Sequence, residues 1–271
     1  MMNRSLYMQM LRINAKGIAS YALGSAFYIM LMFWLYPSIA EHTQVMNEML
    51  KSVPAGITKA FGLENGMGNL ESFLSGEYYG LIFIVILSVF SLMVSTQLMA
   101  RMVDQGSMAY LLSTPTTRGT VACTQALVLV TGLFIIMAVT TLAGFAGNLL
   151  FIVDQGAFHA GNFLRLNLVA FLMFFAVGAV SFLVSSVSND EKRALSISGV
   201  IIIGSFCLDL IGKLSEQTEW MRHMALFSLF RPSEIVTGSE SWIASSSILF
   251  VIGLGFFTLS IWVFKKRDLP L

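Results

Sequence analysis

An all-α integral membrane protein with six transmembrane helices is the fold this sequence predicts, and three observations predict it. First, of 271 residues 56% are hydrophobic and 11% charged, against roughly 25% charged in a soluble domain. Mean hydropathy is +0.77. Second, the apolar residues form long runs between charges, not alternating or short helical patterns. Third, Lys and Arg cluster on one set of the loops that join those runs.

Charge-free stretches locate the spans. They are Gly17–Ala40, Tyr78–Ala100, Gly119–Val153, Leu166–Asn189 and Ser241–Phe264, with Ala194–Gly212 interrupted only by Asp209. About 20 apolar residues cross the hydrocarbon as a helix. The predicted spans are 17–40, 78–100, 119–150, 166–188, 194–213 and 242–264, in a single domain over 1–271. The third stretch is too long for one upright helix and too short for two. Gly132, Gly144 and Gly147 could bend it, and Gly147-Asn148 could begin a broken outer end. The first run is too long for a cleavable signal peptide and is read as the first anchor.

Orientation follows the basic residues. With the N-terminus inside, Arg4, Arg12, Lys16, Arg101, Arg118, Lys192, Arg193, Lys265, Lys266 and Arg267 lie on the inner side. Lys51, Lys59, Arg165, Lys213, Arg222 and Arg231 fall outside. The 10-to-6 split places both termini in the cytoplasm. Arg222 and Arg231 fit this poorly.

Three segments outside the spans read as helical. Met1–Lys16 is amphipathic: Met2, Leu6, Met10 and Ile13 oppose Arg4, Arg12 and Lys16. Such a helix suits the inner interface. In the first outer loop Val45, Met46, Met49, Leu50 and Val53 repeat at helical spacing before Pro54. Segment 214–240 is apolar for a loop, with Leu214, Trp220, Met221, Met224, Phe227 and Phe230. It reads as two short re-entrant helices in the outer leaflet, ended by Arg231-Pro232. Its basic side chains would snorkel to headgroups.

The chemistry-bearing motifs are few. His42, His159 and His223 sit apart, without metal-ligand spacing. Cys123 and Cys207 are two thiols in separate apolar runs. No Gly-x-x-x-x-Gly-Lys-Ser/Thr loop is present, so ATP has no phosphate cradle in this chain. The net charge of +1 gives no field for nucleic acid. Asp209 is the one candidate for an ion relay. Its alternative is an ordinary i,i+4 pair with Lys213 near the outer interface. The chain therefore has no energy-converting site of its own.

Arg101–Arg118 is the most informative stretch. Val103, Ser107, Tyr110 and Leu111 could line one face of a short inner helix, stopped by Ser113-Thr114-Pro115. Asp104-Gln105-Gly106-Ser107, then Leu111-Leu112-Ser113-Thr114-Pro115 and Arg118, resemble the inner-loop signature of permease subunits of type-2 ATP-binding-cassette exporters. Phe230-Arg231-Pro232 and the ending Phe264-Lys265-Lys266-Arg267-Asp268-Leu269 are similar to that family too. Ala109 stands where family members often carry a glutamate.

The resemblance implies a permease subunit of a bacterial plasma-membrane exporter, itself not an enzyme. It implies a second permease subunit and a pair of cytoplasmic ATPase subunits holding ATP and Mg. Docking would rest on Asp104, Gly106, Tyr110, Leu111 and Arg118. The translocation path would be lined by Ser91, Ser95, Thr96, Gln97, Ser198 and Ser205. For these six, close helix packing is the alternative. Two rival classes remain open at this point. One is a self-sufficient ion-coupled carrier or membrane-embedded enzyme. The other is a non-transporting sensor or scaffold subunit.

Overall fold

The computed structural model describes residues 2–60, 69–152, 158–238 and 242–268. The side chains of Met46 and Ala55, and Leu269 at the end of the tail motif, lie outside that description. Six helices are long and apolar enough to cross a membrane. In chain order the helices are α1 (Arg4–Glu41), α2 (Thr43–Ser52), α3 (Ala55–Ala60), α4 (Leu70–Phe73), α5 (Phe83–Leu98), α6 (Ala100–Asp104) and α7 (Ser107–Leu112). Next come α8 (Arg118–Phe151), α9 (Ala160–Val187), α10 (Glu191–Leu214), α11 (Pro232–Thr237) and α12 (Trp242–Lys266). A π-helical stretch, Leu74–Ile82, joins α4 to α5. Two 3₁₀ turns, Glu216–Met224 and Leu226–Leu229, precede α11.

The amphipathic start and the first span are one helix. Asn3 caps it, its side chain accepting from the Leu6 N–H, and no boundary occurs at Gly17. At 1.5 Å per residue α1 is about 57 Å long, far more than the ~30 Å hydrocarbon core. Its first turns rest on α8: the Asn3 N–H donates to Thr124 Oγ1 at 3.1 Å, and Tyr7 OH lies 2.9 Å from Thr131 Oγ1. Arg118 at the start of α8 donates to the Arg267 carbonyl. Both ends of the described chain therefore meet the same end of the bundle, as an even number of crossings requires.

The third span is likewise one unbroken helix through Phe151, so the expected broken outer end at Gly147-Asn148 is absent. Its glycines are notches for neighbouring side chains. A Cβ on Gly132 would lie 2.9 Å from Phe90, one on Gly147 2.9 Å from Phe33, and one on Gly144 would overlap the Phe163 ring. Hydrophobic driving force between helices is weak in lipid, so close approach through small residues carries the packing. Gly253 plays the same part in α12, where a Cβ would overlap the Phe175 ring.

The spans are unequally covered. Of the most apolar stretch of α9, 67% is buried, against 22% for α10 and 28% for α12. α9 is the central post, touching α5, α8, α10 and α12. The outward faces of α10 and α12, with Val200, Ile203, Val251 and Trp262 exposed, are left to lipid or to another subunit.

The second span begins at Leu70, earlier than the predicted Tyr78, because Asn69 caps it through the Ser72 N–H at 2.7 Å. Its π-helical stretch buries Tyr78 and Tyr79 completely. Tyr78 OH lies 2.6 Å from Ser25 Oγ, which lies 2.6 Å from Thr140 Oγ1. Tyr79 OH donates to Asn167 Oδ1 at 3.0 Å. These bonds join α1, α8 and α9 to the second span.

This packing can be tested at the notches and at the ends. Gly147→Ala forces a methyl against Phe33 and should cost roughly 1–3 kcal/mol, read as a lower thermal-inactivation temperature in detergent. Gly17→Ala, with nothing within 4 Å of the added Cβ, should cost nothing; equal losses would refute the notch. For topology, single cysteines at the exposed Ser5, Ser52 and Asp268 serve as reporters in a Cys123→Ser/Cys207→Ser background. An impermeant thiol reagent on intact cells should label only position 52. Labelling at 268 but not at 5 would leave an odd number of crossings.

Candidate coupling site

The site forms where the second span ends. Met99, with φ −123° and ψ −73°, breaks the helix after Leu98. The break frees backbone groups that lipid cannot satisfy. Ser185 of α9 meets both: its Oγ donates to the Ser95 carbonyl at 2.9 Å and accepts from the Ala100 N–H at 3.0 Å. The chain leaves the bundle at α6 with its exit pinned to the central post.

Residues 103–111 do not form the single helix that their spacing predicts. Gly106 sits in the left-handed region at φ 70°, a conformation that costs a side-chain-bearing residue about 1–2 kcal/mol. It separates α6 from α7. Val103 and Met108 turn inward and are buried, while Tyr110 is 82% exposed. Tyr110 therefore does not share the packed face of Val103, as the single-helix reading required. Leu111 is half-buried against the core.

The Leu111–Pro115 run is a helix stop. Ser113 Oγ donates to the Tyr110 carbonyl at 2.7 Å, and Thr114 and Thr116 donate to the Leu111 carbonyl at 2.6 and 3.1 Å. Three hydroxyls thus take up carbonyls that a helix end leaves orphaned. Pro115 disfavours helical backbone at Thr114. Thr117 then caps α8 through the Thr120 N–H at 3.2 Å.

Charged residues tie this segment to two other loops. Asp104 Oδ2 accepts from the Glu191 N–H, at the first turn of α10, at 3.2 Å. Arg101 lies 3.7 Å from Glu191. Arg118 donates to the Arg267 carbonyl. Arg267 in turn donates to the Ser186 and Ser188 carbonyls at 2.7 and 3.1 Å and to Asn189 Oδ1, closing the C-terminal end of α9. Partial burial lowers the Arg267 guanidinium from its ordinary pKa, but arginine stays protonated. Segment 101–118, loop 189–194 and the basic tail are thus one hydrogen-bonded unit.

A bundle of six spans whose inner segment and tail are bound together agrees with what sequence comparison finds. The ABC-2 family transporter proteins match residues 22–269. The chain belongs to this family. None of the curated proteins matches the sequence. Family membership and the six apolar helices make the chain a multi-pass transport permease.

The five docking residues read from the family-like motif have separate positions. Asp104 and Arg118 face other parts of the permease, Gly106 is the joint, and Leu111 packs inward. Tyr110 alone of the five is turned fully to the outside. A groove of about 390 Å³ lies beside it, lined among others by Leu6, Met10, Met102 and Leu111. Ser185 and Arg267 as pins were not singled out in the sequence, although Arg267 belongs to the tail motif.

Of the six path residues, Ser91, Ser95, Thr96 and Ser198 are buried, and Gln97 and Ser205 are partly so. Ser205 Oγ accepts from the Leu226 N–H at 2.8 Å. Among the described residues, the side-chain oxygens of Ser91, Thr96 and Ser198 have no hydrogen-bond partner, nor has that of Ser181 of α9. They lie between α5, α9 and α10 in a single copy of the permease.

Asp104→Asn keeps an acceptor for the Glu191 N–H and should be tolerated. Asp190 caps α10 through the Arg193 N–H; Asp104→Ala removes the second acceptor at that end, the one for the Glu191 N–H, and should cost about 1 kcal/mol, seen as faster hydrogen exchange in residues 189–195. Equal exchange in all three proteins would remove Asp104 from the unit.

Proposed function

We propose that this ABC-2 permease is the membrane-spanning subunit of an ATP-driven exporter in the bacterial plasma membrane, coupled to a separate pair of cytoplasmic ATPase subunits. Two permease copies, or this chain and a second permease, would enclose the path. The observation that carries the reading is Tyr110: an aromatic side chain 82% exposed on a short helix whose flanks are pinned to the bundle. An aromatic this exposed contributes little to the packing of its own chain. Partner-binding surfaces use such aromatics as anchors. The lack of any phosphate-binding loop supports placing ATP hydrolysis on a partner.

The mechanism this implies is mechanical. ATP binding would close the ATPase pair and displace the 101–118 segment. Asp104 hands that displacement to the first turn of α10, and Ser185 hands it to α9. The buried hydroxyls of Ser91, Thr96 and Ser198 lie where α5 and α10 would part. Exposed there, they would offer hydrogen bonds to the polar part of an amphipathic cargo. A ligand or partner shifts such an equilibrium only by binding the two states differently, so docking must strengthen in one of them.

Co-purification with the cognate ATPase tests the reading. Tyr110→Ala should lose about 2 kcal/mol of assembly, roughly a thirtyfold weaker complex, while the permease still inserts. Lys192→Ala, an exposed change in the first turn of α10, should retain the ATPase. Full retention by Tyr110→Ala with normal transport would move the contact elsewhere. The permease alone, free of ATPase, should hydrolyse no ATP.

A further inference from the structure

The end of the bundle opposite the coupling segment carries a concentration of charge that the transport reading does not use. Asp209 lies in the penultimate turn of α10, about 30 Å along the helix from Glu191. Its side chain is 3% exposed. Lys213 Nζ reaches Asp209 Oδ2 at 2.7 Å, and Arg222 Nε lies 3.5 Å from Asp209 Oδ1. The i,i+4 pair expected from the sequence is formed, but it is buried and it has a third member. Arg222 arrives from the 3₁₀ turn Glu216–Met224, folded back on α10 so closely that a Cβ on Gly212 would overlap Arg222 Cγ.

Two cations share one carboxylate, so the triad carries a surplus positive charge. It is poorly hydrated: the Arg222 side chain is 11% exposed and that of Lys213 20%. Arg222 Nε and Asp209 Oδ1 face each other as this loose pair, both buried and neither with a closer hydrogen-bond partner among the described residues. The triad borders a cavity of about 60 Å³, whose wall also includes Lys59, Ser75, Gly80, Arg231 and Glu234. Arg231 and Glu234 pair at 3.1 Å and cancel. Lys59, exposed on the rim, has no ion pair among the described residues, and an adjoining cavity sets it and Lys213 beside Glu216 and Glu219, so the desolvated surplus is that of the triad. A desolvated positive surplus is costly unless an anion shares the space. A phosphate carries the one or two negative charges needed to balance it, and the cavity has room for a few waters or one such group.

We propose that this cavity is a binding site for a phosphate-class anion, held by Lys59, Lys213 and Arg222, at the end of the permease remote from the coupling segment. Asp209 is the positioning residue: it aims the Lys213 and Arg222 cations at the cavity. The anion is the phosphate of a net-negative lipid headgroup or a free phosphate. Neither source requires the ATPase, so this proposal and the exporter reading fail independently.

The test is thermal unfolding of the purified permease in neutral detergent at constant ionic strength. The probes are phosphatidylglycerol, phosphatidylcholine of the same acyl chains, and inorganic phosphate against chloride. Phosphatidylglycerol should stabilise the wild type at a half-saturating concentration at least fivefold below that of phosphatidylcholine. Lys59→Gln, on the exposed rim, and Lys213→Gln should each weaken the effect about fivefold, and the double variant should abolish the preference. If inorganic phosphate stabilises as well and loses its effect in the same variants, the ligand is the free anion. If only the lipid does, it is the headgroup. Equal response to the two lipids with phosphate no better than chloride overturns the proposal. So does an anion preference that survives in the double variant. Arg222→Gln is confirmatory where it folds; the Lys59 result stands without it.

Discussion

Lipid offers a backbone nothing to bond with, and this permease has to let its chain out of the membrane partway through a helical bundle. The second span must stop at Leu98, turn at Met99, and surrender a short segment to the surface. Each interrupted helical bond exposes an N–H or a C=O where water is scarce. Ser185 resolves this with one hydroxyl, donating to Ser95 and accepting from Ala100. Because Ser185 belongs to α9, the most buried span, the exit point is fixed to the part of the molecule least able to move. The geometry of α6, Gly106 and α7 is built outward from that pin.

Hydrophobicity along the chain made the six spans legible, since length and charge-free runs alone set what can cross a bilayer. What the runs could not show was how helices meet. Gly132, Gly144 and Gly147 read as bend points because glycine weakens a helix; in the fold they admit Phe90, Phe163 and Phe33. The choice between bending and notching depends on a neighbour that no local window contains. The start of α1 misled for a related reason. Its basic face and its apolar face are real, but nothing at Gly17 breaks the helix, so amphipathicity marked a change of environment and not a change of element.

At the candidate coupling site the helix stop was legible, because proline and hydroxyl residues act over three or four positions. The sequence did not separate α6 from α7, since a lone glycine between polar residues gives no sign of its φ. Nor did it distinguish residues that face the permease from the one that faces away. Asp104 and Arg118 sit in the motif beside Tyr110, yet their partners, Glu191 and Arg267, are 87 and 149 residues away. The buried triad was half visible: i,i+4 spacing gave Lys213, while Arg222 reaches Asp209 only because the outer segment folds back. Of the basic residues that fitted the predicted orientation poorly, Arg222 pairs with Asp209 and Arg231 with Glu234.

These two ends are joined by one helix. α10 is capped by Asp190 and held at its first turn by Asp104 as well; Asp209, Lys213 and Arg222 meet near its other end, while only 22% of its apolar stretch is buried. A rod held by polar contacts at its tips and loosely along its length tilts more readily than it deforms, because packing along a buried helix resists sliding and packing here is sparse. Asp104 bonds a backbone N–H, so displacement of the coupling segment acts on the helix itself and not on a mobile side chain. At the far tip, an anion in the proposed site would tighten the triad and stiffen the remote end. A bound anion and a bound ATPase would then act on the same rod from opposite ends, and linkage makes any such coupling reciprocal. Asp209, Lys213 and Arg222 gather at one end of α10, and Asp104 contacts its other end, so the polar contacts of this sparsely packed span lie at its tips.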